Sequence, residues 1–146
     1  MLFRSIYSSR GNLRAELGDA NGAIADFTKA LAIEPKKSLI YNSRGFLRLQ
    51  AGQFELAIQD FDAALQHDPT YAEAYNNRGN AHYQLGDAAL ALRDFTQALE
   101  LNPNLTEAYI SRAQARTTMN DAEGALNDYQ RAMRLREQHC GSSLTP

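Results

Sequence analysis

The side chains able to do chemistry in this 146-residue chain are three histidines, one cysteine and a regular set of arginines and aspartates. A base or a metal ligand would have to come from His67, His82 or the adjacent His139 and Cys140. Metal binding needs several such ligands converging at a fixed spacing. His82 has no second histidine one helical turn away, and its neighbours Asn80, Tyr83 and Gln84 are poor ligands. His67, in ALQHDP, reads as a helix-end residue, and His139–Cys140 sits in the terminal HCGSSLTP. No serine or cysteine lies in a nucleophile motif. The single glycines of RGNL, RGFL and GNAH do not make a phosphate-cradling loop. The sequence therefore predicts no catalytic residue, no metal site and no cofactor.

The arginines and aspartates carry the other chemistry. Arg10, Arg44, Arg78 and Arg112 recur every 34 residues, as do Asp26, Asp60, Asp94 and Asp128. A stripe of arginines would grip a carboxylate or phosphate; alternatively each guanidinium pairs with an aspartate in a structural ladder. The charges recur in equal number, and both columns lie beside small or aromatic markers. Those two facts favour the ladder, because a partly buried guanidinium needs a planar acceptor for its fork. Whether the pair forms within one repeating unit or across to the next is left open by spacing alone.

The elements that position these residues emerge from the same period. Pro35, Pro69 and Pro103 follow ALAIEP, ALQHDP and ALELNP, and counting back gives units 4–37, 38–71, 72–105 and 106–139. Tyr7, Tyr41, Tyr75 and Tyr109 share one unit position, and Gly11, Gly45, Gly79 and Ala113 another. Gly18, Gly52 and Gly86 recur, with Asn120 in their place in the last unit. Alanine recurs twice, at Ala23, Ala57, Ala91 and Ala125 and at Ala30, Ala64, Ala98 and Ala132, with an aromatic at Phe27, Phe61, Phe95 and Tyr129. The apolar period is helical. Glycine ends a first helix because it accepts a left-handed backbone. Asp19, Asp87 and Asp121 cap a second helix, and Glu55 and Glu123 favour its first turn. Proline ends that helix. The expectation is an all-α solenoid of four antiparallel helix pairs, with small residues at close helix approaches and the rings filling wider gaps between pairs. Gly79 is expected to meet Ala91 or Ala98. Stacked neighbours share one core, and residues 140–146 read as a frayed tail.

This pattern of tyrosine, glycine, alanine, aromatic, alanine and proline resembles the tetratricopeptide repeat over residues 4–139. Two departures stand out. The arginine column replaces a common leucine, and Ala113, Asn120 and Glu137 mark a divergent last unit whose second helix runs on toward Gln138. The resemblance implies a right-handed superhelix whose concave groove is lined by the first helix of each pair. It places Ser5, Ser8, Ser9 and Asn12 in that groove, then Leu39, Asn42, Ser43, Phe46, Leu49 and Gln50. From the third unit it adds Glu73, Asn76, Asn77, Asn80, Tyr83 and Gln84, and from the fourth Glu107, Ile110, Ser111 and Gln114. Amides there would satisfy the backbone of an extended peptide, and Phe46, Leu49, Tyr83 and Ile110 would receive apolar anchors; the alternative is a merely wetted helix surface. Family members that clamp a chaperone tail use lysines and an arginine. In the matching places this chain has Ser8, Asn12, Ser43, Glu73 and Asn77, or one unit later Asn42, Phe46, Asn77, Glu107 and Ser111. No basic residue is among them, and Glu73 and Glu107 would repel a carboxylate.

Composition narrows the partners. The chain is 44% hydrophobic and 22% charged, with a net charge of -2 and both signs interleaved. Nothing in that balance steers it toward nucleic acid, and no apolar run suits membrane insertion. The lone Cys140 excludes an internal disulfide and favours a reducing, cytoplasmic setting; export of a processed chain is the alternative. The expected function is a non-catalytic module for a protein or peptide partner. The alternative is a scaffold that forms a homo-oligomer through its ends, where Leu126, Tyr129, Met133 and Leu135 are expected to lie exposed with Phe3 and Ile6 opposite.

Overall fold

Glycine and asparagine divide the chain into hairpins. Gly18, Gly52 and Gly86 take φ of 83°, 76° and 86°, and Asn120 takes 61°. That left-handed backbone costs most side chains 1–2 kcal/mol by order of magnitude, and asparagine is among the few that visit it. A capping aspartate follows in three of the four turns: Asp19 accepts from the N–H of Gly22, Asp87 from that of Leu90 and Asp121 from that of Gly124. Gln53 occupies the fourth turn and makes no side-chain cap.

The computed structural model describes residues 2–141, with side chains from Ile6 onward. It contains eight helices: α1 (Leu2–Glu16), α2 (Ala20–Ile33), α3 (Ser38–Gln50), α4 (Phe54–His67), α5 (Ala72–Gln84), α6 (Ala88–Leu101), α7 (Thr106–Thr118) and α8 (Ala122–Gly141). Each odd helix packs on the even helix that follows it, and each even helix packs on the next odd one. The result is an all-α solenoid of four helix pairs.

Packing within a pair depends on glycine more directly than expected. A Cβ on Gly79 would lie 2.7 Å from Cε1 of Phe95, and one on Gly11 or Gly45 would lie 2.8 Å from the matching ring atom of Phe27 or Phe61. The ring, rather than the side chain of Ala91 or Ala98, fills the space that glycine vacates. Phe95 also packs on Ala115 of the following pair, so it serves both contacts. Where Ala113 replaces the glycine, the matching ring, Tyr129, stands partly exposed.

Leucines close the junctions between pairs: Leu99 is buried with Ala98 against Ala108 of α7. The tyrosine hydroxyls add a polar tie, Tyr41 donating to the carbonyl of Pro35 and Tyr109 to that of Pro103, both at 3.1 Å.

Two expectations at the C-terminal end need correction. Leu135 is 2% exposed, because it continues the Ala125–Asp128–Ala132 stripe of α8 at helical spacing and faces α7 with it. Cys140 and Gly141 belong to α8 rather than to a frayed tail. Glu137 stands where the other units carry proline, so no residue removes the backbone donor that ends the helix elsewhere. The remainder of the expected tail, 142–146, and the side chains of Phe3 and Ser5 lie outside the described residues.

Candidate functional site

The arginines and aspartates meet within each pair. Arg10 donates to Asp26 through Nε and Nη2, both at 2.8 Å. Arg44 does the same to Asp60, Arg78 to Asp94 and Arg112 to Asp128, with Nη2 at 2.7 Å in all three. The remaining nitrogen of the fork reaches the preceding pair: Arg44 to Thr28, Arg78 to Asp62 and Arg112 to Thr96. Each guanidinium also lies over the tyrosine three residues before it, at 5.4–5.9 Å from the ring centroid. A fork matched to planar, buried carboxylates explains the arrangement.

Sequence reasoning overlooked a second cation. Arg14, Arg48 and Arg116, one helical turn after the first arginine, donate to the same aspartates at 3.1, 2.8 and 2.9 Å. Their recurrence at the chain period was the available signal. The hydrogen bond from Arg10 is the main reason the Asp26 carboxyl titrates below the usual range; burial opposes the shift, and the charges of Arg10, Arg14 and Lys29 support it. Arg78 is held in its charged form more firmly than usual, first by its bond to Asp94. These arginines are engaged with the aspartates, and Arg10 at the first pair is the most exposed of them.

The histidines do not assemble a reaction centre. His82 takes the place of the second arginine, with Nε2 3.9 Å from Asp94, beyond hydrogen-bond length. His67 stacks on Tyr41 at 5.9 Å, and Nδ1 of His139 lies 2.7 Å from the carbonyl of Leu135. Among the described residues no three His, Cys, Asp or Glu side chains converge as a metal site, and no helix is long and apolar enough to cross a membrane.

One feature able to hold a ligand is an open cavity of about 690 Å³ across α1, α3 and α5, bounded at one edge by the start of α7. Asn12 and Glu16 line it from α1; Asn42, Ser43, Phe46 and Gln50 from α3; Glu73, Asn76 and Asn77 from α5; Leu105 and Glu107 beside α7. Phe46 is 43% exposed. The amides form a short chain: Asn77 donates to Oδ1 of Asn42, and Asn42 donates to the hydroxyl of Tyr71. Burial raises the pKa of Tyr71 and leaves its hydroxyl protonated, with Glu73 and Asp68 adding to the shift against the pull of the Asn42 bond.

The expected groove extends beyond this cavity. Leu49, Asn80, Tyr83, Gln84, Ser111 and Gln114 do not line this cavity. Tyr83 is tied to Thr118 through their hydroxyls at 3.0 Å. Ile110 instead lines a smaller hollow with Tyr129, Ala132, Met133 and Arg136 at the end of the stack.

Comparison with known proteins bears on this geometry. Models described as tetratricopeptide or TPR repeats match residues 5–37, 47–86, 72–105 and 106–143. No curated protein matches the sequence. A crystal structure of MamA superposes with a TM-score of 0.87 at 19% identity, covering 94% of this chain and 81% of that one, a likeness of fold alone. The first TPR of Spaghetti (RPAP3), bound to the HSP90 peptide SRMEEVD, gives 0.78 at 25% identity over 80% of this chain and 93% of that one. An Arabidopsis OM64 TPR domain gives 0.76 at 26% identity over 78% and 94%.

Proposed function

The chain belongs to the tetratricopeptide repeat family, and from that premise we propose that it is a non-catalytic module holding an extended protein or peptide segment in the cavity of α1, α3 and α5. On this reading the pairs wind as a right-handed superhelix with the odd helices on the concave side. The observation that carries it is the cavity itself: four asparagines and the half-exposed Phe46 line it together. Amides offer donors and acceptors to a peptide backbone, and an exposed aromatic gives an anchor. The RPAP3 domain supports peptide binding on this fold, but its printed ligand is acidic, whereas Glu73 and Glu107 line this cavity. The partner is therefore of another charge class than that peptide.

Peptide-array capture on the full chain, repeated with Phe46→Ala plus Asn77→Ala, tests the reading. Binding that weakens in the double variant while the helical melting curve is kept supports it. Unchanged binding in a folded double variant would refute it.

A second reading, self-association, is favoured by one observation. Met133 in α8 takes the unit position of Leu31, Leu65 and Leu99, yet lies exposed beside Leu126 and Tyr129.

A further inference from the structure

We infer that the concave cavity selects a cationic side chain, arginine or lysine, carried by an extended peptide; this rests on the groove reading above and names the chemistry of its occupant. The starting observation is a mismatch between two equivalent junctions. Between α3 and α5, Asn42 is engaged on both sides of its amide, by Asn77 at 3.1 Å and by Tyr71 at 3.2 Å. One unit later the matching residue is Asn76, but Leu105 replaces Tyr71 and Ser111 replaces Asn77. Asn76 is 4% exposed and lines the cavity. Its Oδ1 is the one buried side-chain oxygen or nitrogen without a hydrogen-bond partner among the described residues. A buried amide oxygen without a donor is costly, and the terminal torsion of asparagine is soft, so the amide can turn to meet a donor brought into the cavity.

The surrounding charge sets what kind of donor that is. Glu73 lies three residues before Asn76, hence on the same face of α5. Glu107 stands in the first turn of α7 and Glu16 at the end of α1. All three line the cavity, and no lysine or arginine does. No cation among the described residues pairs with any of the three. A guanidinium or ammonium group carries donors and no acceptor, so one head group satisfies Asn76 and the carboxylates together. Its aliphatic stem packs along apolar surface, which Leu105 and Phe46 supply. An acidic side chain would meet three like charges. A neutral one would cover the carboxylates without a counter-charge.

Fluorescence anisotropy tests this on the full chain with acetylated, amidated Ala/Leu peptides that differ only at a central arginine, lysine, citrulline or glutamate. The arginine and lysine peptides should bind at least about tenfold more tightly than citrulline, with glutamate weakest. Added salt should narrow that gap. Glu73→Gln with Glu107→Gln should remove the preference, and Asn76→Leu should weaken arginine binding while leaving the melting temperature equal or higher. A preference that survives the paired glutamine substitutions would overturn the assignment. Equal binding of all four peptides, lost on Phe46→Ala, would overturn the charge selection and leave the groove reading standing. Binding that ignores Phe46→Ala, or binding of none of the peptides, would overturn both.

Discussion

Arg44 closes a two-point grip on Asp60, with Nη2 2.7 Å from Oδ1 and Nε 3.0 Å from Oδ2, and Arg48 shares that second oxygen at 2.8 Å. The two arginine side chains are only 14% and 17% exposed. Asp60→Ala would strand two poorly solvated cations and should cost about 3–5 kcal/mol. Asp94→Ala should cost less, about 1.5–3 kcal/mol. Arg78 keeps Asp62 at 2.8 Å, and no second arginine shares Asp94, His82 standing in its place with Nε2 3.9 Å away. Urea unfolding of the two variants side by side decides between them. An equal or greater loss in Asp94→Ala would contradict the shared-carboxylate account.

The same network predicts an acid response. The carboxyl of Asp26 titrates lower in the fold than in the unfolded chain, chiefly through the Arg10 hydrogen bond. The unfolded chain therefore takes up the proton first as pH falls. The stabilisation is fully present above the unfolded aspartate value of about 4 and is lost as pH drops through the lower, folded value. Thermal melts from pH 6 downward should show falling stability in the acid range, and Asp26→Asn should make that fall shallower. A variant with the same acid slope as the parent chain would remove Asp26 from the explanation.

Much of the fold was legible in sequence because its markers act locally. A glycine that ends a helix, an aspartate that caps one and a proline that stops one each work without knowledge of a partner. The site was less legible. The resemblance to the repeat family placed Asn12, Asn42, Phe46, Asn76 and Asn77 in a groove, and these five line the cavity. The same resemblance placed Asn80, Gln84 and Gln114 in the groove as well, outside the lining of this cavity, because a unit position says nothing about which turn of a neighbouring helix stands opposite. Leu135 was misplaced for a related reason: it lies buried with the Ala125, Asp128 and Ala132 stripe of α8 rather than exposed with Met133. The unpartnered Asn76 depends on residues 29 and 35 positions further on, Leu105 and Ser111.

Gly79 tests the packing within a pair. An alanine there gains helix propensity worth about 1 kcal/mol. Its Cβ would lie 2.7 Å from Cε1 and 2.9 Å from Cδ1 of Phe95, with the carbonyl oxygen of Ala91 at 3.2 Å. Overpacking of a fixed core ring costs about 1–3 kcal/mol, so the contact should outweigh the propensity and Gly79→Ala should lower stability. Pairing it with Phe95→Leu should cost less than the sum of the two single changes, because the clash is with the ring. Additive losses in a denaturant double-mutant cycle would locate the strain elsewhere.

Met133 tests what the end of the stack does. Leu99, its counterpart one unit earlier, is 6% exposed because α7 covers it, whereas Met133 is 62% exposed. Ile110 and Tyr129 line the same hollow. An apolar face that neighbouring pairs cover elsewhere is the surface on which another copy would stack. Light scattering over a range of concentrations should then give a mass rising above that of the monomer, and Met133→Glu should return it to the monomer by placing a charge in the contact. The substitution touches an exposed side chain, so the melting temperature of the isolated monomer should change little. A parent chain that stays monomeric at every concentration, or an oligomer indifferent to Met133→Glu, would exclude this face as the contact.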